Sequence, residues 1–129
     1  MPREILLKIV DANIVLRYLL ADVPTLFARS EQILETEAVY LPFEVLAEVV
    51  YVLDKVYAVS RREISASLAE LLKYPTVTTY NSEVAIRGLA TYSDGTLDIV
   101  DSLLWGYSYV QGAEIVSFDK QLNRRLRTT

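Results

Sequence analysis

The 129 residues are 52% hydrophobic and 23% charged, the balance of a globular chain, and the length fits one domain, 1–129, around a single core. With no cysteine and no histidine, disulfides, thiolate nucleophiles, zinc–thiolate sites and imidazole bases are excluded, which leaves carboxylates, hydroxyls, lysines and hard cations held by oxygen. A net charge of −4, from 17 acids against 13 bases, has the wrong sign for a protein that binds nucleic acid over its whole surface. Four acids held by bound divalent ions would leave 13 against 13, so the total does not exclude a local acidic site.

No apolar run approaches the roughly 18 residues of a membrane span. The opening "MPREILLKIVDANIV" carries an early acid and no small-residue cleavage site, so it does not read as a signal peptide and the expected location is cytoplasmic. "ILLKIV", 5–10, has the nearly continuous apolar pattern of a buried parallel strand, and Asp11 follows it at once. "NIVLRYLLAD" then predicts a short helix that stops before Pro24. "PTLFARSEQILETE" predicts a second helix with Pro24 in its first turn and Leu26, Ile33 and Leu34 inward.

A second strand is expected over 38–42, followed by the strongest helix signal in the chain, 43–57, with Val45, Val49, Val52 and Val56 on one stripe. Ser60 and Glu63 have capping-box spacing, ahead of a helix burying Ile64, Leu68 and Leu71. "TVTT", 76–79, is a weaker strand and "SEVAIRGLATY" a helix. After the turn "SDGT", "LDIVDSLLWGYSYVQ" predicts a helix and "AEIVSFD" a last strand ending at Asp119. Strands alternating with helices imply βα units around a parallel sheet.

Two carboxylates, Asp98 and Asp101, stand three apart in the otherwise apolar or aromatic stretch "LDIVDSLLWGY", which puts them on one face of a helix's first turn, where the dipole favours negative charge. Asp98 serves equally as a simple N-cap and Asp101 as a surface acid. Asp11 and Asp119 each follow a predicted strand, at the carboxyl ends where ligands bind in open α/β sheets, and each also suits a turn or a cap. Glu48 lies between the apolar stripe of its helix and the polar face bearing Glu44, Tyr51 and Lys55, and by pattern alone suits a solvated position.

These segments carry a resemblance. "IVDANIVLRYLL", "LPFEVLAEVVYVL" and "LDIVDSLLWGYSYVQGAEIVSFDKQL" resemble, in order and over essentially the whole chain, the four acidic motifs of the PIN-domain ribonucleases, in particular toxins of the VapC type from toxin–antitoxin pairs. The resemblance implies a three-layer α/β/α domain with a central parallel sheet and a metal-dependent endoribonuclease. Its acidic quartet falls on Asp11, Glu48, Asp101 and Asp119, holding Mg2+ or Mn2+. Asn13, Asp98 and Ser117 match accessory positions; at the last of these threonine is more usual. A homodimer and a cognate antitoxin that inserts a peptide near the acids are implied as partners, besides RNA.

Carboxylates gathered in one pocket repel one another unless divalent cations sit among them, and such cations can supply hydroxide and stabilise phosphodiester charge. Lys120, Arg17, Arg124, Arg125 and Arg127 are candidates to guide an RNA backbone, or plain surface charges. Tyr18, Leu19, Phe27 and Tyr51 could form a partner surface or belong to the core. An aspartyl phosphatase would want a second acid where Asn13 stands, and a receiver domain would want adjacent acids and a late strand-end lysine. A PIN scaffold that binds without cutting remains the non-enzymatic alternative.

Overall fold

The computed structural model describes residues 7–128. Seven helices and one small parallel sheet make up the regular structure of this span: α1 (Ala12–Leu20), α2 (Pro24–Thr36), β1 (Val39–Tyr40), α3 (Phe43–Lys55), α4 (Arg61–Leu71), β2 (Val77–Thr78), α5 (Ser82–Asp94), α6 (Ile99–Gln111) and α7 (Lys120–Arg127).

Local sequence explains most of the starts. Asp11, Ser60, Asn81, Asp98 and Asp119 each cap a helix, their side chains accepting an amide of the first turn, and Pro24 opens α2 at a position where its missing N–H costs nothing. The Ser60 and Glu63 pairing appears as expected, the Ser60 hydroxyl accepting from the Glu63 amide at 3.2 Å. Ile64, Leu68 and Leu71 are buried as their spacing predicts.

The sheet is smaller than the sequence suggests. β1 and β2 pair in parallel, Val39 with Val77 and Tyr40 with Thr78, and Ile9 makes a single parallel bridge to Tyr40 on the other side. Lys8 and Val10 bond to Tyr40 through their backbones, so the first predicted strand is present as a short extended run; residues 5 and 6 of it lie outside the described residues. The molecule is mostly helical, and a three-layer arrangement is not evident.

The last predicted strand, 113–119, is the clearest departure. It is not paired as a strand. The Asn123 side-chain amide donates to the Ser117 carbonyl at 2.8 Å, and the Asp119 amide donates to the Ser117 hydroxyl at 3.0 Å. Side chains thus satisfy backbone groups that a ladder would otherwise use. Ile115 packs inward, but Val116 and Phe118 point outward and are 91% and 104% exposed, so the segment turns its stronger apolar face to solvent.

Most of the core lies between α1, α3, α4, α5 and α6, with Val15, Leu46, Val49, Leu68 and Leu89 fully enclosed. On α3 the buried stripe is Leu46, Val49, Val50 and Leu53, about one residue round from the expected valine stripe, and Val56 is exposed. On α2, Leu34 is buried and Ile33 half-buried, while Leu26 is exposed and Ser30 is buried. Tyr18 joins the core edge, stacking on Phe27 with centroids 5.8 Å apart and sharing a 2.6 Å hydroxyl contact with Tyr74; Leu19 packs there too. Tyr51 is exposed.

Helices α5 and α6 approach most closely. A Cβ on Gly106 would lie 2.7 Å from the Val84 carbonyl oxygen, and one on Gly88 would lie 2.9 Å from Leu103 Cδ2, so glycine at both positions is what lets the two backbones meet. α7 is held by Leu122, which is fully buried against Leu97 and Trp105 in a second, smaller cluster. No helix among the described residues is long and apolar enough to cross a membrane.

Candidate active site

Three of the acids singled out by the sequence occupy the same kind of position. Asp11, Asp98 and Asp119 are the N-caps of α1, α6 and α7, and each accepts an amide through Oδ1: from Ile14 at 3.2 Å, Asp101 at 2.9 Å and Leu122 at 2.7 Å. The cap reading is therefore correct for all three, and it does not compete with a site reading. The caps engage Oδ1 and leave Oδ2 for a ligand.

Asp101 lies in the first turn of α6, one turn beyond Asp98, and is half-buried. Its carboxyl is pushed above the usual carboxylate range, first by burial and then by the charges of Asp98 and Asp119. Those three acids, drawn from the start of α6 and the start of α7, thus share one electrostatic neighbourhood. Neither Asp11 nor Glu48 is among the charges acting on Asp101.

Glu48 is exposed on the polar face of α3 with Glu44, Tyr51 and Lys55. Asp11 stands where the Lys8–Val10 run enters α1, with Asn13 exposed beside it. Ser117 supports Asp119 directly through the hydroxyl contact to its amide. The route imagined for Asp119, at the end of a strand in the sheet, does not operate, since the preceding segment is unpaired.

A hard divalent cation suits the donor chemistry here, because carboxylate oxygens are available and like charges crowd Asp101. The spacing does not complete the fit: among the described residues no group of three or more acids is close enough to hold one metal ion.

Two features escaped the sequence reading. Arg61, at the first position of α4, donates to the backbone carbonyls of Tyr92 at 2.9 Å and Leu97 at 2.6 Å, and its guanidinium lies 4.3 Å from the Tyr92 ring centre. It ties down the loop that delivers Asp98. The second is α7 itself, whose only sequence signals are the Asp119 cap and the i, i+4 pair Leu122 and Leu126. Of the basic candidates, Arg17 is engaged with Asp22 at 2.9 Å and reaches the Tyr57 hydroxyl at 3.5 Å, whereas Lys120, Arg124, Arg125 and Arg127 all ride on α7.

No curated protein and no solved structure matches the chain. A family model described as PIN domain matches residues 8–126, a span that takes in all the acids discussed above. That match covers nearly the whole sequence, and the chain belongs to the PIN-domain family.

Proposed function

We propose that the protein is a metal-dependent endoribonuclease and the toxin of a toxin–antitoxin pair, refining the coarse nuclease reading that the PIN-domain family gives. In this proposal Asp11, Glu48, Asp101 and Asp119 are the working carboxylates, with Asn13, Asp98 and Ser117 in support. Mg2+ or Mn2+, when bound, would supply Lewis acidity and an activated water. The observation that carries the reading is the crowding at Asp101, whose carboxyl is pushed up first by burial and then by the charges of Asp98 and Asp119, a repulsion that a divalent ion would relieve.

The chain's own contribution is positional. The starts of α6 and α7 place Asp98, Asp101 and Asp119 together, and Arg61 fixes the loop ahead of Asp98. RNA is the proposed substrate, and a cognate antitoxin and a second copy of the chain are the proposed protein partners.

The test is cleavage of a mixed single-stranded RNA pool with and without Mn2+, beside Asp11→Asn and Asp119→Asn. Asparagine caps a helix about as well as aspartate, so these variants keep the fold while removing charge. Metal-dependent cutting by the parent, lost by at least tenfold in both variants, is expected. A second reading, a PIN scaffold that binds without cutting, is favoured by the absence of a three-acid metal group among the described residues. It prevails if parent and variants are equally inert and calorimetry detects no divalent binding.

A further inference from the structure

Beside the acids lies a cavity of about 230 Å³, lined by Thr91, Thr96 and Leu97 from the end of α5 and the following loop, and by Gln121, Arg124 and Arg125 from α7. Its walls lead straight to the acids: Leu97 immediately precedes Asp98, and Gln121 is two residues past Asp119. No carboxylate lines it, although the chain as a whole carries an excess of acids. The acids that flank its loop wall in sequence, Asp94 and Asp98, are both exposed and are not among the lining residues.

The cationic side is built rather than incidental. α7 carries Lys120, Arg124, Arg125 and Arg127 and no acid within its span. It is anchored by Leu122, and the Arg125 guanidinium rests 5.2 Å from the Trp105 ring centre. On the opposite wall Arg61 holds the carbonyls of Tyr92 and Leu97, fixing the loop, and the Gln121 side-chain amide donates to the Thr96 hydroxyl across the gap. The result is a cleft that offers guanidinium, hydroxyl and amide donors over an apolar floor at Leu97. Such donors suit a phosphate, which guanidinium groups bind through charge-assisted hydrogen bonds.

We propose that this cleft binds a backbone phosphate of the RNA strand next to the one presented to the acids, with Arg124 as its principal charged contact. The proposal rests on the nuclease reading and adds to it the path of the strand. An acidic chain repels RNA overall, so a local cationic cleft at the mouth of an acidic site supplies the attraction that the net charge denies.

The experiment measures binding of a fluorescently labelled, short single-stranded oligouridylate in EDTA, across a salt series, for the full chain and for Arg124→Gln and Arg127→Gln. Arg127 is exposed on the same helix but does not line the cleft, so it controls for general charge. Arg124→Gln is expected to weaken binding about three- to tenfold at low salt and to reduce the salt slope by about 0.7, as for one lost phosphate contact on a single strand, with Arg127→Gln close to the parent. Titration of Asp11→Asn with the same oligonucleotide, followed by amide NMR shifts, should move Thr96 and Gln121.

Equal losses in the two arginine variants, or no movement at Thr96 and Gln121 on saturation, overturn the cleft while leaving parental cleavage, and with it the nuclease reading, intact. An unchanged Arg124→Gln does the same, and makes an acidic peptide the next occupant to try. If the parent neither binds nor cuts RNA, the nuclease reading itself fails and the cleft proposal falls with it.

Discussion

Helix α6 and the segment that follows it make a useful contrast, because both bear acids of the candidate site and both are rich in apolar residues. In α6 the backbone satisfies itself, Gly106 lets it sit against α5, and Leu103 and Trp105 are buried. In 113–119 the backbone relies on Ser117 and Asn123, and Val116 and Phe118 face outward. Apolar content alone therefore does not place a segment in the core; what decides is where its backbone hydrogen bonds go and which neighbour comes close enough to cover it.

The sharpest way to break the packed side of this contrast is Leu89→Ala, which removes a fully buried side chain from α5 and is expected to cost about 2–5 kcal/mol in denaturant unfolding. Gly106→Ala tests close approach rather than volume. Its new methyl meets a backbone carbonyl, so about 1–3 kcal/mol should be lost, although alanine is the better helix former.

Asp101→Asn probes the acid in the first turn of α6. Because the folded protein raises the pKa of this carboxyl, the ionised form is disfavoured in the fold and its effect is a penalty, present above the usual carboxylate range. The variant should melt slightly above the parent at neutral pH. The gap should close as pH falls and the parental carboxyl is protonated in both folded and unfolded states. A gap that widens on acidification would reverse the assigned sign. The smallest effect belongs to the exposed segment: Phe118→Ser should change stability by no more than about 0.5 kcal/mol, and a larger loss would mean that this ring is covered.

The helices were legible in the sequence because their signals are local. Caps at Ser60 and Asp98, Pro24 at a helix start, and leucines at helical spacing act within a few residues of one another. The face of α3 was less legible, since the expected stripe Val45, Val49, Val52 and Val56 shares only Val49 with the buried stripe Leu46, Val49, Val50 and Leu53 that tertiary packing chose. α7 was missed because "KQLNRRLR" is so polar that only Leu122 and Leu126 mark its inner side. The role of Arg61 could not be read at all, its partners being backbone carbonyls 31 and 36 residues away. As for the acids, their residue types were readable and so was the family; which of them share a field was not, since the influence of Asp119 on Asp101 depends on how α7 docks.

The capping aspartates have a consequence for how this sequence can drift. A single exchange of Asp11, Asp98 or Asp119 for asparagine removes a negative charge and preserves the amide contact that starts the helix. Chaperones and proteases that cull misfolded chains would have nothing to act on. A lineage carrying such a change would keep a well-folded protein, so inheritance of the fold and inheritance of the negative charge are uncoupled at these three positions.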